Sequence, residues 1–315
     1  MKTIKRLKTI KARINFIPVM LFMAVIFLAS CNDDDEMTPE PYVKNIVEVA
    51  ADAGQFNILI QAAQKAGLAD YLSTQDGITV FAPTDDAFKM LLSDLGLNSL
   101  DDVPLDDLTN ILLYHVVGSK AMSTDLESGY FPTLSKLGEN SISMYIAAGE
   151  GVTINKNTKV TSADIEAKNG VIHVVDKVIL PPSVVNIALD NDNFSILVQA
   201  VVKAGLVDAL SGAGPFTVFA PTNDAFNALF IQLGISGVND LTAEQLIPIL
   251  TYHVVSGNVL STDLANGMVP TLSGENKLTV DLTSGVKIND SEVVAADIQG
   301  SNGVVHVINK VLIPQ

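Results

Sequence analysis

The stretch Thr79–Phe88, TVFAPTDDAF, returns at Thr217–Phe226 as TVFAPTNDAF, an offset of 138 residues. Its first half is a short apolar, β-branched run of the kind that forms a buried strand. Pro83-Thr84-Asp85-Asp86 then starts a helix: Thr84 or Asp85 can cap free backbone N–H groups, and acid in the first turn suits the helix dipole. Ala87, Phe88, Leu91 and Leu92 continue the buried face of that helix.

The repetition extends outward on both sides. Phe56-Asn57-Ile58-Leu59 recurs as Phe194-Ser195-Ile196-Leu197, and Lys65-Ala66-Gly67-Leu68 as Lys203-Ala204-Gly205-Leu206. Tyr114-His115-Val116-Val117 recurs as Tyr252-His253-Val254-Val255, and Ser123-Thr124-Asp125-Leu126 as Ser261-Thr262-Asp263-Leu264. The register then slips, because NGVIHVVDKVILP (169–181) matches NGVVHVINKVLIP (302–314) at an offset of 133. A hairpin tip of variable length between Leu134 and Asn169 accounts for the slip. A period this long makes each copy a complete domain and not a stacking unit. Phe56, Leu59, Ile60 and Ala63 form a helical stripe, with Gly67 where a helix-terminating glycine belongs. Beyond Tyr114 the pattern changes to short β runs between Gly, Asn and Ser turns. Helices therefore crowd the first half of each repeat and strands the second, an α+β arrangement.

The boundaries follow: domain 1 over 42–181 and domain 2 over 182–315, meeting at the stiff joint Pro181-Pro182, which predicts restricted motion between them. Residues 1–30 read as a leader, with six Lys and Arg residues and an apolar run from Phe16 to Leu28 that is short for a membrane span. Leu28-Ala29-Ser30-Cys31 looks like a bacterial lipobox, so lipidation is expected at Cys31, the single cysteine of the chain. Residues 31–41 then form an acylated, acidic, proline-containing tether. Its Asp33, Asp34, Asp35 and Glu36 resemble the surface-export signal of Bacteroidota lipoproteins. The expected location is the outer membrane, exposed at the cell surface, with the membrane as partner through Cys31.

The 315-residue chain is 48% hydrophobic and 17% charged, with a formal net charge of −16 that becomes −22 once the six basic leader residues are removed. Nucleic acid is excluded as a partner on this balance, since phosphate binding needs clustered Lys and Arg.

TVFAPTDDAF, then YHVV, then NGVIHVVDKVILP, each present twice, resemble the signature stretches of the fasciclin domain and the Tyr-His motif between them. The resemblance implies two tandem domains, each a β-sandwich or wedge packed with several helices. It also implies a role in adhesion, with an extracellular protein or glycan as ligand. It makes Tyr114, His115, Tyr252 and His253 candidate binding residues, together with the Asp-Ile pairs Asp164-Ile165 and Asp297-Ile298.

Read from the residues alone, the four histidines sit among valines, in or beside β-structure next to the core, each satisfying a hydrogen bond. Strand alternation then allows at most one residue of each Tyr-His pair to be fully buried. In the Asp-Ile pairs, Ile reads as core and Asp as a turn cap. The acidic clusters Asp101-Asp102, Asp106-Asp107 and Asp190-Asn191-Asp192-Asn193 read as helix starts and Asx turns, the last departing from the EF-hand template at Phe194. No metal or cofactor is expected. GxSxG, HExxH and glycine-rich phosphate-loop motifs are absent, which favours a binding module over an enzyme. The alternative is an accessory or structural envelope lipoprotein that binds a protein partner in an assembly or nutrient-uptake complex.

Overall fold

The computed structural model describes residues 42–314, so Cys31 and the run Asp33, Asp34, Asp35 and Glu36 lie outside the described residues. Helices α1 (Ile46–Ala53), α2 (Asn57–Lys65) and α3 (Ala69–Thr74) open the first repeat and lead into strand β1 (Ile78–Pro83). β1 is buried along its whole length because its alternating side chains feed two separate cores. Ile78, Val80 and Ala82 pack with Ile46, Ala50, Phe56 and Leu72 of the helices, whereas Phe81 packs with Tyr114, Met144, Ile146 and Ile154. Thr79 would be an orphan in this setting, but its Oγ1 donates to Ser119 O (2.7 Å) and accepts from Ala121 N (2.9 Å).

Helix α4 (Asp85–Asp94) follows at once. Of the two possible caps, Thr84 is the one used, accepting from Ala87 N at 3.3 Å. Asp85 instead accepts from Ile58 N (2.7 Å) and Asn57 Nδ2 (2.9 Å), which satisfies the start of α2. After α5 (Leu105–Tyr114) come β2 (Val116–Val117), β3 (Gly129–Leu137), β4 (Asn140–Ala148), β5 (Val152–Ile154), β6 (Thr158–Ala167) and β7 (Gly170–Val175). The strands pair in chain order and β7 returns parallel to β1, so the seven close into a ring. The expected glycine sits at the end of α2, with Gly67 at φ +68°.

The second repeat copies this order: α6 (Val184–Leu189), α7 (Ser195–Lys203), α8 (Val207–Ser211), β8 (Phe216–Pro221), α9 (Asn223–Leu233) and α10 (Ala243–Tyr252). Its strands are β9 (Val254–Ser256), β10 (Gly267–Pro270), β11 (Lys277–Asp281), β12 (Lys287–Ile288), β13 (Ser291–Gly300) and β14 (Gly303–Ile308). β14 again lies parallel to β8, but this sheet ends at β9 and β10 without closing.

The register slip has a definite place. Thr133 Oγ1 donates to Ile142 O across the base of the β3–β4 hairpin, and Thr271 Oγ1 makes the same bond to Asn276 O. Eight residues lie between the first pair and four between the second, so four of the five missing residues belong to the hairpin tip. The fifth is lost in the turn after Asn155, whose counterpart is Asn289.

From Val43 on, the described residues form one compact unit in which the repeats touch. β4 packs on β13, and Tyr130 of β3 lies against the core of the second repeat. Tyr130 Oη accepts from Asn191 Nδ2 (3.2 Å), Ser143 Oγ accepts from Gln299 N (3.1 Å), and Lys156 pairs with Asp192 (2.5 Å). At the expected stiff joint, Pro182 O accepts from Ser301 N at 2.7 Å.

Asp190 sits at this joint, and burial pushes its carboxyl up to about 7, opposed by the Lys156 charge. A carboxyl raised in the folded state costs stability progressively as the pH rises from its unfolded value, near about 4, and in full above about 7. The gain in stability from Asp190→Asn is therefore expected to grow from about pH 4 to pH 7, and to be larger at pH 8 than at pH 5 by about 1–2 kcal/mol, allowing for solvent screening of a partly exposed group. Urea unfolding at the two pH values measures this, and equal gains at both would refute it.

Candidate binding surface

The Tyr-His motif lies at a helix end and not in a strand, which corrects the expectation from alternation. Tyr114 is the last residue of α5, His115 is its C-cap, and both are buried, as are Tyr252 and His253 on α10. At a helix terminus successive side chains diverge by about a third of a turn, so one can enter each of the two cores.

Tyr114 Oη donates to Ser143 O (3.0 Å) and accepts from Asn155 Nδ2 (2.9 Å). Asn155 holds a left-handed backbone (φ +44°) and accepts from Tyr145 N, so the tyrosine pins the β4–β5 edge. Tyr252 repeats this with Lys277 O (2.9 Å) and Asn289 Nδ2 (3.1 Å). Burial drives the Tyr114 hydroxyl well above the usual phenol range. Tyr252→Phe, which strands the Lys277–Asn289 pairing, is expected to cost about 1–2 kcal/mol by chemical denaturation.

His115 Nε2 accepts from Ile179 N at 2.9 Å, which leaves the proton on Nδ1 to be donated to Ile111 O at 2.7 Å. His253 does the same between Leu312 N (2.9 Å) and Ile249 O (2.8 Å). Each ring ties the end of a helix to the segment that follows the last strand, and burial lowers both imidazoles to about 4, so they stay neutral.

The Asp-Ile pairs occupy a bulge in β6 and in β13, with Asp164 at φ +61° and Asp297 at φ +62°. Asp164 accepts from Ser123 N (2.7 Å) and Ser123 Oγ (2.5 Å), and its own N–H donates to His173 Nδ1 (3.2 Å). These Ser123 bonds hold its carboxyl below the usual carboxylate range. Asp297 is bound identically by Ser261, with its N–H on His306 Nδ1. The carboxylates cap a turn, as read from the residues. Ile298 is buried and Ile165 is half-buried against the helix-side core.

Four buried histidines, two tyrosines and two aspartates thus act as internal ties. Among the described residues no group of three His, Cys, Asp or Glu side chains is placed to hold a metal. Sequence reasoning had no role for Asn155, Asn289, Ser123 or Ser261. The two serines open a motif already visible as a repeat, and that repetition was the available signal.

The fasciclin domain family model matches residues 54–181 and 192–314. The chain belongs to the fasciclin domain family. A fasciclin chain of this kind is similar to protein sll1483 of Synechocystis, with 47% identity over 133 residues, 42% of this chain and 73% of that protein. It is also similar to rabbit transforming growth factor-beta-induced protein ig-h3 (28% identity, 89% of this chain) and to human periostin (29%, 78%). It spans only 39% and 29% of the length of those two proteins. Among solved structures, the FAS1 domain pair of the insect cell adhesion molecule Fasciclin I superposes over 83% of this fasciclin chain and 98% of its own. The TM-score is 0.53 at 19% identity, a likeness of fold.

Proposed function

We propose that this fasciclin chain is a lipid-anchored adhesion protein of the Bacteroidota type, held in the outer membrane through Cys31 and carried to the cell surface by Asp33, Asp34, Asp35 and Glu36. Its paired domains bind an extracellular protein or glycan. The observation that carries this reading is the match of the whole domain pair to that of an insect cell adhesion molecule. The direct contacts between the repeats support it, because two ligand faces held at a fixed spacing gain avidity from any repetitive surface. With the Tyr-His and Asp-Ile residues committed to internal bonds, the ligand faces are the exposed loops and strand edges around them.

Protease shaving of intact cells tests the reading, comparing the native chain with one carrying alanine at Asp33, Asp34, Asp35 and Glu36. Digestion of the native domains and protection of the variant is the expected result. Protection of both, with the protein still in the membrane fraction, would replace surface adhesion by the accessory-lipoprotein reading.

A further inference from the structure

The helix-side cores of the two repeats are built alike but filled differently. Val80 of β1 is buried, whereas Val218, the same residue at the same place in β8, is only half-buried. Leu72 and Ala50 are likewise buried while their counterparts Leu210 and Ala188 are not. Between α6, α7, α8 and the second sheet lies a cavity of about 120 Å³, with Val218 and Leu210 in its wall. Three of its lining valines, Val184, Val198 and Val305, stand where the first repeat has Ile46, Ile60 and Ile172.

The mouth is apolar too. Leu189 of α6 is 43% exposed and Val202 of α7 is 60% exposed, at positions where the first repeat carries Ala51 and Gln64. Burying such side chains is worth far more than leaving them in water. The lining's sole side-chain hydrogen-bonding group is the His253 ring, and both its nitrogens are already bonded, to Ile249 O and Leu312 N. A ligand group that needs a hydrogen bond would find none inside. Apolar cavities of about 150 Å³ stay dry and accept small hydrocarbons.

We propose that this cavity of the second domain is a binding site for the end of a hydrocarbon chain, which enters between Leu189 and Val202 and leaves its polar head outside. The site is independent of the adhesion reading. It distinguishes the two repeats, since Val80, Leu72 and Ala50 of the first are buried where their counterparts in the second are half-buried.

Methyl NMR of the full chain, labelled at Val and Leu, tests this with 1-octanol and with phosphatidylethanolamine vesicles as separate probes. The expected result is saturable shifts at Val184, Val198, Val218 and Val305 with no comparable shift at Val80. The triple variant Val184→Ile, Val198→Ile, Val305→Ile adds one methylene at each of three positions facing a cavity of about 120 Å³, so the added groups have room and the domain should fold. Its octanol affinity is expected to fall at least tenfold. Shifts with both probes mean that a bilayer acyl chain can fill the site, and shifts with octanol alone mean a soluble amphiphile; either upholds it. No shift with either probe, shifts equal at Val80, or affinity unchanged in the triple variant would overturn it.

Discussion

Gly170→Ala is expected to unfold the first domain, at a cost of about 4 kcal/mol or more, the range reserved for changes that break a core. A Cβ on Gly170 would lie 2.0 Å from Ile78 O and 3.0 Å from the Ile46 side chain. The carbonyl belongs to backbone of the parallel β1–β7 pairing, so no rotamer change relieves the contact. That pairing is the bond between the first signature stretch and the second: Ile78 faces Gly170 and Pro83 faces Val175. Gly303 stands in the same relation to Phe216, with 2.1 Å to its carbonyl oxygen. Gly138→Ala is the control. This glycine has φ +62° but no neighbour within 4 Å of a Cβ, so the change is expected to cost about 1 kcal/mol. Hydrogen exchange of β1 and β8 separates the domains: Gly170→Ala should deprotect β1 first. Equal losses for Gly170→Ala and Gly138→Ala would show that the close approach of β7 to β1 is not what demands glycine.

The helix-ending Gly67, the strand-to-helix turn and the α+β division were legible because they are local: composition and periodicity over ten residues carry them, whereas the demand for glycine at Gly170 comes from the distant Ile78 carbonyl. The hairpin difference was legible as a five-residue slip, although only the paired bonds of Thr133 and Thr271 locate it. The Tyr-His pair was misplaced for a physical reason. YHVV has the hydropathy of a strand, and the two valines do form β2, but the helix runs on through Tyr114 under tertiary packing. The contacts across the joint could not be read at all. Tyr130 and Gln299 meet their partners Asn191 and Ser143 61 and 156 residues away in the chain, and no local pattern encodes such a pairing.

His115→Ala and His253→Ala are each expected to destabilise their own domain by about 3–5 kcal/mol, because each removes two buried hydrogen bonds and leaves a cavity. Ile179 N or Leu312 N would be left buried without an acceptor. The native rings also set a pH limb. Each is lowered to about 4 by burial, against about 6.5 when unfolded, so in this window the unfolded chain binds more protons than the folded one. Stability is then full above pH 6.5 and falls as the pH drops towards 4, by on the order of 3 kcal/mol per ring. His306, also lowered by burial, adds in the same direction. Asp190 acts against them, since a carboxyl raised to about 7 makes the folded state bind the extra proton over much of the same range. The net slope between pH 6.5 and 4 is therefore expected to be smaller in the native chain than in Asp190→Asn, in which the opposing proton is gone. Guanidinium unfolding across that range, with hydrogen exchange to assign each domain, measures both slopes. A stability of Asp190→Asn that rises as the pH falls from 6.5 to 4 would mean that the Tyr-His imidazoles are protonated in the folded protein and free to face a partner.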